Sequence, residues 1–197
     1  FIVHGAHDRA GIAPNRIGIE IEAALAFGTG HHGTTRGCLL ALDGLTKRHR
    51  ARNVLDVGTG TGVLAIAAAR ALRCPVTATD IDALALAVAR ANARSNRAGA
   101  FIAFARANGG GAGAVRGRAP YDLIFANILL APLKRMAAAL SALASRGGSI
   151  VLSGLLTTDA NAALSVYRAQ GVNLERRIVL EGWTTLVLRA TKSKPLR

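Results

Sequence analysis

Three glycines separated by single threonines, Gly58, Gly60 and Gly62, follow directly on the apolar run Val54-Leu55-Asp56-Val57 and precede an Ala/Leu stretch from Val63 to Leu72. A buried strand, a glycine turn and a helix start make a cradle in which main-chain N–H groups and the positive helix end meet a ligand. Glycine suits the turn because the chain bends sharply and the bound group approaches the backbone closely. A dinucleotide fingerprint requires GxGxxG, whereas here the spacing is GxGxG and Val63 stands where its third glycine would be. Asp56, two residues before Gly58, would repel a pyrophosphate and favour a cation. S-adenosylmethionine carries an ammonium and a sulfonium and no phosphate, so the pattern points to it as cofactor. A nicotinamide or flavin dinucleotide and a purely structural glycine turn are the alternatives. Asp80, 22 residues after Gly58, ends the next apolar run and is placed to accept hydrogen bonds from ribose hydroxyls, a duty common to both cofactor classes.

Other polar residues divide by context. Asp82 precedes a helical run, Ala83 onward, and is read as its N-cap. Asp122, after Pro120, is read as orienting a turn into a strand. Asn127 is different, because its amide closes the apolar run Leu123-Ile124-Phe125-Ala126 at the edge where the other candidate groups converge, and it is assigned a ligand-fixing role. The adjacent pair His31 and His32 cannot readily converge on one metal and has no Cys/His partner at ligand spacing, so no metal is expected. His4, His7 and His49 are read as surface or turn residues, and none is assigned as a base. Cys38 and Cys74 stand apart from each other and are read as small buried hydrophobes in a reducing compartment.

The elements that must position these groups follow from periodicity. Short strands are expected near residues 1–4 and 16–22, with a Pro/Asn turn between them, and then a Gly/Thr loop leads into a helix over 34–45. From Asn53 the order is strand (54–57), helix (63–72), strand (76–80) and helix (83–96), the half-unit of a parallel sheet covered on both faces. Strands over 101–107 and 121–128, a helix over 133–145, a strand within 147–156 and a helix over 159–170 continue it. The stretch between Ala107 and Pro120 shows no periodicity. Two last strands, 174–181 and 183–190, are separated by little more than Gly182 and read as an antiparallel hairpin. The fold expected is α/β in three layers, mostly parallel with an antiparallel end.

Composition narrows the function classes. The 197 residues are 51% hydrophobic, enough for one well-filled core, which excludes a disordered or fibrous chain. No run of eighteen apolar residues suggests a membrane span, and no export signal is visible at Phe1. The formal charge of +14 is almost all arginine and is scattered, with +5 in residues 1–100 and +9 in residues 101–197. This is read as a solvated Arg-rich surface ahead of a nucleic-acid groove, since aromatic residues at 4% supply few stacking platforms. Nucleic-acid contact stays open as a secondary expectation.

Four stretches carry a resemblance: AFGTGHHGTT from Ala26, VLDVGTGTGVLAIAA from Val54, ATDID from Ala78 and YDLIFANILLAPL from Tyr121, supported by LSGLL from Leu152 and GWTTLVLR from Gly182. In these, in consistent order over essentially the whole chain, the protein resembles the bacterial methyltransferase family that modifies the large-subunit ribosomal protein L eleven. That resemblance implies a Rossmann-like class I S-adenosylmethionine-dependent methyltransferase fold. It also implies transfer of methyl groups, by in-line displacement, to lysine or N-terminal amines of a ribosomal protein in the cytoplasm. Thr35, Gly58, Asp80 and Asn127 are the positions it implies for cofactor contact, with Gly60, Gly62 and Asp56 beside them and Phe27, Gly28, Thr29 and Gly30 folding over the cofactor. Asn127 is the candidate catalytic residue, by positioning. Departures from the family pattern are Gly33 for proline, Thr59 for a cysteine or similar small residue, Ala83 for proline, and the loss of an acid after the third of the parallel strands.

By the same resemblance, residues 1–25 are expected to be a lead-in from an N-terminal substrate-recognising domain, 26–191 the catalytic domain and 192–197 a basic tail, in a monomer. A nucleic-acid methyltransferase and a non-catalytic cofactor-fold module are the competing readings.

Overall fold

Runs such as Val54-Leu55 and Leu123-Ile124-Phe125-Ala126 are apolar at successive positions, so both faces of the sheet they form must be covered. A computed structural model describes residues 1–5, 7, 12–13, 15–21, 33–48 and 50–191, and shows how this is done. The strands are β1 (Ile2–His4), β2 (Gly18–Glu20), β3 (Val54–Val57), β4 (Val76–Asp80), β5 (Ile102–Arg106), β6 (Tyr121–Asn127), β7 (Ala144–Leu156), β8 (Val172–Leu180) and β9 (Trp183–Ala190). The α-helices are α1 (Gly33–Thr46), α2 (Val63–Leu72), α3 (Ala83–Ser95), α4 (Gly113–Arg116), α5 (Leu130–Leu143) and α6 (Ala160–Arg168).

Seven strands form one sheet in the order β5-β4-β3-β6-β7-β9-β8, parallel from β5 through β7, with β9 antiparallel to both β7 and β8. Side chains alternate between two cores, as the pleat requires. Val54, Leu123, Phe125 and Val151 pack with α1 and α2 on one face, whereas Leu55, Ile124, Ile150 and Leu152 pack with α5 and α6 on the other. Every residue of α2 from Val63 to Ala69 is buried, which explains its alanines: a small side chain lets a helix buried all round lie close to the sheet. β1 and β2 form a separate two-stranded sheet beside α2, and the Asn96 amide at the end of α3 holds the main chain of Glu20 at 2.8 and 2.7 Å.

The structure refines the sequence reading in several places. β1 and β2, whose pairing it left open, run parallel, with Ile2 opposite Gly18. α5 begins at Leu130 rather than 133, because Pro132 in a first turn forfeits an N–H that has no intrahelical partner there. Ser145 belongs to β7, and the featureless stretch after Ala107 contains a 3₁₀ turn, Gly109–Gly111, and the short α4. The C-terminal hairpin is present, with Leu180 opposite Trp183.

Candidate active site

Strand order reverses between β3 and β6, since β4 and β5 lie on one side of β3 while β6 and β7 lie on the other. Ligands in open α/β sheets bind beyond the carboxyl ends of the strands at such a switch point. A cleft of about 700 Å³ opens there, walled by Gly58 to Thr61, Asp80, Ile81, Asn108, Asn127, Ile128, Thr35 and Trp183. Register explains the convergence: Val57 lies opposite Thr79 on β4 and opposite Ala126 on β6, so Gly58, Asp80 and Asn127 each emerge at the same edge.

The glycine turn is held from below. Gly58 N–H and Thr59 N–H both donate to Thr79 O, at 2.8 and 2.9 Å, and Gly62 N–H donates to Thr59 O at 2.8 Å. Gly58 has φ +69°, and a Cβ there would lie 2.5 Å from Ile128 Cγ2, so glycine is required by conformation and by space. Asp80 accepts from Gly60 N–H through Oδ2 at 2.9 Å and from Asp82 N–H through Oδ1 at 3.0 Å. An ionised carboxylate has about four lone-pair positions, so those two bonds orient the group and leave acceptor capacity facing the cleft. Across the cleft, Asn127 Nδ2 donates to Thr35 Oγ1 at 3.5 Å, joining the end of β6 to the first turn of α1.

Asp56 and Gly62 are not on the cleft wall. Asp56 shares the pleat face of Val54 and points under the loop toward α2, where Oδ2 accepts from Thr59 Oγ1 at 2.6 Å and Ala65 N–H at 3.2 Å. It is 1% exposed, and burial pushes its pKa up to about 6, helped by the nearby Asp80 charge and opposed by its two hydrogen bonds. Its place is that of a brace for the turn. Asp82 caps α3, its Oδ1 accepting from Leu84 N–H at 2.9 Å. Asp122 is bound to Arg52 N–H at 2.8 Å and Ser145 Oγ at 2.9 Å, a tie at the opposite edge of the sheet. Phe27, Gly28, Thr29, Gly30, His31, His32, His49 and residues 192–197 lie outside the described residues. Cys38 and Cys74 are free and buried, and burial raises the Cys38 thiol to about 12.

Several wall residues had no signal in spacing or type. Trp183 begins β9, opposite Leu156 of β7, and only the hairpin's antiparallel return brings it to the cleft. Asn108 stands on the wall just after β5, where the sequence shows a bland loop. Ile128 and Gly154 meet at the same edge from adjacent strands. Among the described residues no group of three or more His, Cys, Asp or Glu is arranged to hold a metal ion, and no helix is long and apolar enough to cross a membrane.

Five strands in parallel with an antiparallel pair at one side, and a glycine turn at the switch point followed by a strand-end acid, define a Rossmann-like class I methyltransferase fold. The family described as Ribosomal protein L11 methyltransferase (PrmA) matches residues 1–191, and the chain belongs to it. A relative named Ribosomal protein L11 methyltransferase from Bradyrhizobium diazoefficiens is 52% identical over 189 residues, covering 96% of this chain and 64% of the relative. Another of that name from Rhodopseudomonas palustris is 53% identical over 191 residues, covering 97% of this chain and 65% of the relative. The chain thus spans less than two thirds of the length of these two relatives. Among solved structures, a ribosomal protein L11 methylase from Lactobacillus delbrueckii subsp. bulgaricus superposes with TM-score 0.79 at 26% identity, over 89% of this chain and 86% of that one.

Proposed function

We propose that this chain carries the cofactor-binding and methyl-transfer site of an S-adenosylmethionine-dependent protein N-methyltransferase acting on amines of ribosomal protein L11. The observation that carries the reading is the convergence of Gly58, Gly60, Asp80, Thr35 and Asn127 on one cleft at the switch point. The residues fit the cofactor: a glycine turn leaves room for close approach at one end, and an acceptor carboxylate faces the cleft beside it. On this reading Gly58 and Gly60 hold the aminoacyl part, Asp80 the ribose hydroxyls, and Ile81 with Asn108 the adenine. When bound, the cofactor supplies a sulfonium-activated methyl for in-line displacement by a neutral amine.

This chain's own contribution is positioning. Asn127 Nδ2 is engaged with Thr35 Oγ1, which leaves Asn127 Oδ1 to accept from an amine N–H and to aim the nitrogen lone pair. Trp183 on the same wall offers an apolar flank to the stem of a lysine. Residues 26–191 form the catalytic domain on this reading, and residues 1–25 a lead-in to it. Substrate choice is assigned to the part of the relatives' length that this chain does not span, and a ribosomal-protein substrate places the enzyme in the cytoplasm.

The test is incubation with radiolabelled S-adenosylmethionine and free ribosomal protein L11, with digestion to locate the label. Label on lysine or N-terminal nitrogen is expected. Label in RNA with none in protein would overturn the protein-substrate reading, and binding without turnover would favour a non-catalytic module.

A further inference from the structure

The contact between Thr35 and Asn127 joins residues 92 apart in sequence, and at 3.5 Å it is too long to hold itself. Its spacing is set from beneath, by two consecutive residues of β7. Ser153 lies opposite Asn127 in the parallel register, is fully buried, and donates from Oγ to Thr34 O at 3.1 Å, which pins the first turn of α1. The same Oγ meets Thr185 Oγ1 of β9 at 2.8 Å, and Thr185 is 2% exposed. With the Ser153 proton directed at Thr34 O, the Thr185 hydroxyl donates to Ser153 and completes a buried chain from β9 through β7 to α1.

The next residue, Gly154, sits at φ +79° in the irregularity where the β7–β9 register shifts between Leu152 and Leu155. A Cβ there would stand 2.5 Å from Ile128 O and 2.8 Å from Ile128 C. The backbone of Ile128, the residue after Asn127, therefore rests directly on Gly154, with no side chain of Gly154 between. One dipeptide thus holds both partners: Ser153 fixes the helix that carries Thr35, and Gly154 fixes the strand end that carries Asn127.

We infer that Ser153 and Gly154, with Thr185 behind them, are the positioning residues of the transfer point, setting the Thr35–Asn127 spacing that grips the acceptor nitrogen. This rests on the function proposed above. It separates two parts of the cleft. The Gly58–Gly60 turn and Asp80 take their bracing hydrogen bonds from β4 and α2, and not from Ser153 or Thr185.

Sinefungin, a cofactor analogue with an amine in place of the transferable methyl, reports on the transfer point by binding alone, and S-adenosylhomocysteine reports on the rest of the cleft. Calorimetric titration of both ligands into the wild-type chain, Thr185→Val and Thr185→Ser is the experiment, since Thr185 is buried behind the cleft and off its wall. Affinity for S-adenosylhomocysteine is expected to stay within about twofold in both Thr185 variants, because Thr185 is no part of the cleft wall and the homocysteine ligand carries no group at the transfer point. The preference for sinefungin is expected to fall roughly fivefold, the effect of one hydrogen bond, in Thr185→Val, and to be kept in Thr185→Ser, which retains the hydroxyl. A preference equal in all three proteins, or a parallel loss of both ligands, would overturn the inference. Should the wild-type chain bind neither ligand, the proposed function itself fails and takes the inference with it.

Discussion

At the scale of single residues, two acids expected from sequence beside the cofactor take different places, one on the cleft wall and one behind it. Asp80 faces the cleft with its carboxylate oriented by Gly60 N–H and Asp82 N–H, so on the proposed function Asp80→Ala would remove a ribose acceptor and also loosen the turn. A loss of S-adenosylmethionine affinity of about 10- to 100-fold is expected, the scale of hydrogen bonds to a charged group, and calorimetry would measure it. Asp56 sits behind the turn, buried, with its pKa raised to about 6 from the ordinary 3.8. The folded protein therefore takes up this proton more readily than the unfolded chain. Asp56 contributes fully below pH 3.8, and the contribution is lost as pH rises through 6. Asp56→Asn, uncharged and of the same shape, should gain stability on the wild type over that window, by on the order of 1–3 kcal/mol at neutral pH. Denaturant midpoints of both proteins between pH 4 and pH 8 would show it, and a pH-independent difference would refute it.

At the scale of elements, caps and ties decide where helices sit. Asp82 caps α3 from an exposed position with no place on the cleft wall, so Asp82→Ala should cost about 1 kcal/mol of stability while cofactor affinity is unchanged. A parallel fall in both quantities would move Asp82 into the binding site. Tyr167 of α6 is fully buried and donates to Leu133 O of α5 at 3.1 Å, locking two helices on one face of the sheet. Tyr167→Phe should leave the apolar packing intact and the Leu133 carbonyl with one partner fewer, a loss of about 1 kcal/mol readable as a lower melting temperature. The ion pairs Arg36–Glu181, Lys47–Asp43 and Arg48–Glu175, largely open to solvent, are expected to add little beside these buried ties.

At the scale of the whole molecule, the cleft is assembled from the ends of β3, β4, β6 and β7, the turn after β5, and the start of α1. A ligand bridging these segments binds only the folded chain. Saturating S-adenosylhomocysteine, at about a hundredfold over its dissociation constant, should therefore stabilise the fold by about 2.7 kcal/mol, or roughly 5–10 °C in melting temperature for a chain of this size. Thermal scans over a ligand series would follow the logarithm of ligand concentration, and no shift at saturation would refute binding to the folded state. The +14 charge belongs to this scale as well, since it acts through the field of the surface as a whole rather than through one contact.

Local chemistry made much of this legible before any coordinates. Glycine spacing after an apolar strand, an acid at the end of the next strand and the alternation of strands with helices are short-range signals, each dictated by backbone conformation or by burial on two faces. From them the parallel core, the glycine turn, the place of Asp80 at a strand end, the cap at Asp82 and the terminal hairpin could be read. What sequence left open depends on contacts between residues far apart in the chain. From sequence both Asp56 and Asp80 are expected at the cofactor, whereas the pleat sends Asp56 toward α2 and leaves Asp80 at the rim. Trp183 and Gly154 reach the cleft through an antiparallel return and a register shift, neither of which leaves a periodic trace. The meeting of Thr35 with Asn127 is likewise decided by tertiary structure alone, because buried hydroxyls of β7 and β9 fix the distance between a helix and a strand that sequence can name but cannot place.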